Sequence, residues 1–182
     1  MEMLAKAFHL LGWYEEAAEL RRQLLLGRSD SPQDSLQYAR LTGSLGASLN
    51  ALGHYEEALP FEEKALAIFQ QLLPAEHIAV GLAMNNLAST YGKLGRHADA
   101  LSLNEKALAL SRRLLPPDHP SIAAALSNMA VHLRTLGRHS EALELHKEAL
   151  AMCRRILPAL HLDIAQGRVQ FGGGVRCPED VL

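Results

Sequence analysis

An all-α fold, a solenoid of stacked antiparallel helix pairs, is what this chain of 182 residues predicts, and three observations carry the prediction. Leu-Gly pairs at 52–53, 94–95 and 136–137 recur at one constant step, and a further copy, Leu11-Gly12, precedes Gly53 by one residue less than that step. Around each pair, two segments with helical spacing of apolar residues meet at the glycine, most clearly between Ile78 and Pro116. With 48% hydrophobic but only 5% aromatic residues, the chain must bury mainly Leu and Ala, the composition of close-packed helices rather than strands. Self-similarity at such a period marks supersecondary units that hide their apolar faces only by stacking on neighbours.

The array is expected over residues 1–166 and an irregular tail over 167–182. Residues 2–26 read as a half repeat, because Tyr14-Glu15-Glu16-Ala17 after Leu-Gly matches Tyr55-Glu56-Glu57-Ala58 after the next pair. Gly27 to Pro32 reads as a loop by its turn residues. Three full repeats follow at 35–73, 78–115 and 120–157, with helices near 35–51 and 55–73, 78–93 and 97–115, 120–135 and 139–157. Pro74, Pro116 and Pro158 are expected to stop each second helix, since proline lacks an amide donor and disfavours helical geometry in the residue before it. Asp118 or His119 then caps the next helix, with Pro120 tolerated in its first turn. The turn glycines occupy places that favour positive φ.

Within 97–115, Ala100, Leu103, Ala107, Leu110 and Leu114 form the apolar stripe, widened by Leu101, Leu108 and Leu115. Within 78–93, Val80, Met84, Leu87, Ala88 and Tyr91 gather on one side and Asn85, Asn86, Ser89 and Lys93 on the other. A fourth copy starts at 159–166, where His161-Leu162-Asp163-Ile164-Ala165 aligns with His119-Pro120-Ser121-Ile122-Ala123, and then dissolves into Gly172-Gly173-Gly174. With no polar capping helix in view, two readings stay open: a fragment of a longer array, or self-association through the bare face of helix 139–157.

Composition and motifs exclude several function classes. A formal charge of −2 gives no electrostatic reason to expect nucleic acid or an anionic membrane as partner. Cys153 and Cys177 form no disulfide framework or metal motif, and no signal-peptide pattern opens the chain, so a cytoplasmic location is expected. No uninterrupted apolar run approaches the roughly 18 residues of a membrane span. There is no nucleophile elbow, phosphate loop or HExxH motif, so no catalytic, cofactor-binding or metal-ligating residue is assigned and the chain reads as a non-enzyme. The nine histidines are spread by the period rather than converged on a point.

Leu-Gly-x-(Tyr/His)-x-(Glu/Asp)-Ala at the turn, with Lys-Ala-Leu in the second helix, resembles a tetratricopeptide repeat. The longer period, the Leu-Leu-Pro connection, Asn85-Asn86-Leu87-Ala88 and Asp118-His119-Pro120-Ser121-Ile122-Ala123 are similar to the 42-residue variety of kinesin light chains and related adaptors. The resemblance implies a right-handed α-solenoid whose first helices line a concave groove. It also implies a peptide-binding role for Arg40, Ser44, Asn85, Asn86, Ser89, Lys93, Ser127, Asn128 and Arg134 on that face. An asparagine amide offers donor and acceptor together, which suits a peptide backbone. Gly43, Ala47 and Ala124 stand where a chaperone-tail clamp would need polar groups, so that specialisation is rejected. The expected function is an adaptor that binds a protein or peptide segment carrying some acidic residues, in the manner of a light-chain cargo adaptor. The alternative is a regulatory or sensor segment of a larger signalling or nucleotide-dependent protein.

Overall fold

A computed structural model describes residues 1–27 and 35–165, with side chains to 156. Among these residues the fold is an all-α helical repeat: α1 (Glu2–Leu10), α2 (Tyr14–Leu26), α3 (Leu36–Ala51), α4 (Tyr55–Leu72), α5 (Ile78–Lys93), α6 (His97–Leu114), α7 (Pro120–Thr135) and α8 (His139–Ala165). The chain divides after Arg96 into two compact units. In unit 1 the helices α1 to α5 pack each on the next, and in unit 2 α6 packs on α7 and α7 on α8.

The turns inside helix pairs share one geometry because each must reverse the chain within a few residues. Gly12, Gly53, Gly95 and Gly137 hold φ between 78° and 83°. At Gly53, the Gly53 amide bonds the carbonyl of Asn50 and the His54 amide bonds that of Leu49, which satisfies two carbonyls of the last helical turn. A side chain at such a φ would be strained, so the periodic glycines are a backbone requirement. The first helices of the three full repeats start on side-chain caps: Ser35 Oγ accepts from the Tyr38 amide, and His77 and His119 Nδ1 accept from the Ala79 and Ser121 amides, each at 3.1 Å.

Alanines set the helix spacing. Ala58, Ala65, Ala100, Ala107, Ala142 and Ala149 are all at most 3% exposed, and they admit neighbouring helices at close range. In unit 1 Ala18, Leu45, Leu49 and Ala58 form a core with Leu25, Leu52 and Phe61 against it. In unit 2 the core runs from Leu101 and Leu108 through Ile122, Leu126 and Leu133 to Met152 and Cys153. Leu114, expected in the buried stripe, is 38% exposed at the last turn of α6.

Pro158 corrects the expected stop. α4 ends at Leu72 ahead of Pro74 and α6 at Leu114 ahead of Pro116, but α8 continues through Pro158 to Ala165 and absorbs the expected fourth copy at 159–165. A proline costs a helix one hydrogen bond and some steric strain, and α4 carries Pro60 in its interior as well. At the other two joints His77 and His119 cap the next helix and hold the connection out of helical geometry, whereas His161 lies inside α8. Residues 28–34 and 166–182, on which most of the expected loop and all of the expected tail fall, lie outside the described residues.

Candidate functional site

The first helices of unit 1 enclose a cleft of about 590 Å³. Its room comes from small residues: Gly43, Ser44 and Ala47 on α3, and Ala79 and Ala83 on α5. Leu41, Ala65 and Phe69 form an apolar floor, and Leu82 projects beside it with 49% of its surface exposed. Lys6 and Glu2 from α1 and Arg40 from α3 bring charge to the lining. A concave, mostly apolar space with a few polar groups is the usual form of a ligand site. Its lining holds no histidine or cysteine, and Ser44 is its one hydroxyl.

Glu62 of α4 also lines this cleft, although only 2% of it is exposed. Its Oε2 accepts from Thr90 Oγ1 at 2.6 Å, and Thr90 in turn accepts from Asn50 Nδ2, so one buried network joins α3, α4 and α5. Burial pushes the Glu62 carboxyl above its ordinary pKa, partly offset by the hydrogen bonds from Thr90 and Asn50. One period earlier Arg21 occupies the same register of α2 and donates to Ser48, which also lies 3.2 Å from His9 Nδ1. Burial lowers the pKa of both Arg21 and His9.

Of the residues expected to bind peptide, the structure brings Arg40, Ser44 and Asn86 together at the cleft. Asn85, Ser89 and Lys93 lie on the same helix as Asn86 outside the lining, the first two half-buried and Lys93 exposed. Ser127, Asn128 and Arg134 lie on α7 in unit 2, half-buried, half-buried and exposed. Sequence reasoning missed Lys6, Glu62 and Phe69. A signal existed for Lys6, which precedes Ala47 by the same interval that separates Gly12 from Gly53 and so shares its register on a first helix. Phe69 and Glu62 reach the cleft from a second helix through packing that periodicity does not reveal.

Among the described residues no group of three or more His, Cys, Asp or Glu is placed to hold a metal ion, and no helix is long and apolar enough to cross a membrane.

The tetratricopeptide repeat family matches residues 39–79 and again 79–155, together more than half of the chain. No curated protein shows significant sequence similarity to it. Among solved structures, the nearly identical TPR-like repeats of a candidate kinesin light chain from Podosopora anserina are similar at 25% identity, covering 85% of this chain and 74% of that one with a TM-score of 0.74. BtubC (BKLC) from P. vanneervenii shares the fold at 23% identity, over 84% of this chain and 60% of that one, TM-score 0.71. A Rap protein complexed with Competence and Sporulation Factor shares it at 16% identity, over 82% and 40%, TM-score 0.69. Such folds are generally non-enzymatic scaffolds for protein or peptide partners. Helix pairs repeated at one constant step, turns held by positive-φ glycines and the two family matches lead to one conclusion: the chain belongs to the tetratricopeptide repeat family.

Proposed function

We propose that the protein is a non-enzymatic cytoplasmic adaptor that holds a segment of a partner protein against its first helices, in the manner of a kinesin light chain recruiting cargo. The cleft of unit 1 carries this reading, because three of the expected contact residues, Arg40, Ser44 and Asn86, meet there over an apolar floor. An apolar side chain of the ligand fills the space left by Gly43 and Ala47, and acidic neighbours lie against Lys6 and Arg40. In unit 2, Ser127, Asn128 and Arg134 supply the equivalent contacts on α7. Self-association through α8 belongs to the same proposal: Leu143 is 54% exposed where Leu101, at the same register of α6, is 7% exposed.

The test is capture of partner segments on a peptide array by the native chain and by an Asn86→Ala/Asn128→Ala variant of equal helicity. Loss of capture in the variant is expected, and added salt should weaken capture of acidic peptides by screening Lys6 and Arg40. Equal retention of all peptides would remove the groove assignment. Sizing the protein across a concentration series checks self-association, which a monomer at every concentration excludes.

A further inference from the structure

Unit 2 carries a second cleft, of about 400 Å³, with Met129, Leu133 and Leu145 as its apolar lining and Glu105 and Arg138 among its polar residues. What it is shaped to receive can be read from unit 1, where the same register is already filled. There the hydroxyl of Tyr91 donates to Glu63 Oε1 at 2.8 Å, and the guanidinium of Arg96 stands 4.0 Å from the centre of the Tyr91 ring. One repeat later the acid recurs as Glu105 and the cation as Arg138, but the tyrosine is replaced by Leu133. The two groups that hold a phenol are kept while the phenol itself is absent. Arg138 lies instead on Glu141, with Nε and Nη2 each 2.7 Å from a carboxylate oxygen, an exposed pair that exchanges easily.

We propose that this cleft takes the phenol ring of a tyrosine presented by a partner protein, seated on Leu133 between Glu105 and Arg138 as Tyr91 sits between Glu63 and Arg96. The ring lies against the half-buried Leu145 over the buried Leu133 and Met129, its hydroxyl donates to the Glu105 carboxylate, and Arg138 turns from Glu141 onto its face. The surface is separate from the cleft of unit 1 and uses none of its residues.

The probes are N-acetyl-tyrosinamide and N-acetyl-phenylalaninamide, titrated into the full chain with methyl resonances of Met129, Leu133 and Leu145 as readout. The tyrosine probe should shift those methyls and bind about three- to tenfold more tightly than the phenylalanine probe, the worth of one ordinary hydrogen bond at an exposed site. Glu105→Gln should narrow that preference, and Leu133→Tyr, which restores the residue of the preceding repeat, should block the probe by filling the cleft from within. Unmoved methyls, equal binding of the two probes, or tyrosine binding that survives Leu133→Tyr in a folded variant would each overturn the proposal. Should Leu133→Tyr fail to fold, the Glu105→Gln comparison decides alone, and an unchanged preference rejects it.

Discussion

Where α4 meets α5, Glu62 accepts a hydrogen bond from Thr90, Tyr91 reaches Glu63, and Arg96 covers the Tyr91 ring. One period later, where α6 meets α7, the same positions hold Asn104, His132, Glu105, Leu133 and Arg138. The backbone arrangement repeats, but the chemistry does not. Among the described residues, Asn104 is fully buried with neither amide atom in a hydrogen bond to protein, and His132, 6% exposed, pairs its Nδ1 with that of His97 at 3.4 Å while its Nε2 has no such partner. The difference teaches that apolar periodicity fixes how these helices stack, while one or two polar residues at a shared register give each joint its own electrostatics and surface.

The largest test of that comparison asks whether the apolar half of the two joints is equivalent. Leu66 of α4 and Leu108 of α6 share a register and are 7% and 6% exposed, so Leu66→Ala and Leu108→Ala should each cost about 2–5 kcal/mol in urea denaturation. A much smaller loss at either would show that the joints differ in packing as well as polarity. Next is Gly46, where an added Cβ would stand 2.5 Å from Glu62 Cγ, although alanine occupies the same register at 88 and 130. Gly46→Ala should cost about 1–3 kcal/mol by overpacking, and a Gly46→Ala/Glu62→Ala variant, which removes the clashing Cγ, should recover part of it.

Replacing Tyr91 by Leu makes the first joint resemble the second. It removes a phenol hydrogen bond and a cation–π contact, for a loss of about 1 kcal/mol.

The smallest effects are in pH dependence, where the joints should respond with opposite sign. Burial raises the Glu62 pKa above its ordinary 4.5, so its contribution to stability is complete below that pH and is lost as pH rises through the raised value. Burial, and secondarily the charge on His97, lowers the His132 pKa below its ordinary 6.5, so its contribution is complete above pH 6.5 and is lost as pH falls through the lowered value. Glu62→Gln should therefore strengthen amide protection of α4 and α5 at neutral pH. His132→Thr, which restores the Thr90 chemistry, should abolish an acid-induced loss of protection in α6 and α7. The same pH response in both joints would contradict the assignment of these two groups.

Helix limits, turn glycines and the apolar stripes were legible in the sequence because each depends on local geometry repeated at a constant step. Pro158 is the exception because a proline's cost is finite and a capped successor helix, rather than the proline alone, ends α4 and α6. The candidate site was half legible. Arg40, Ser44 and Asn86 followed from their place on first helices, and the same place on α1 was open to Lys6, whereas Phe69 reaches the cleft from a second helix, and Glu62 looks like one more surface acid until its burial is seen.

The sequence by itself determined the repeat, because a hydrophobic pattern of constant period with glycine at a fixed place admits few backbone solutions other than stacked helical hairpins. Only the tertiary structure decided which polar residues are taken out of water, and where small side chains leave clefts of about 590 and 400 Å³. Burial and void depend on what a neighbouring helix places opposite each residue, and that pairing is a property of packing rather than of spacing along the chain.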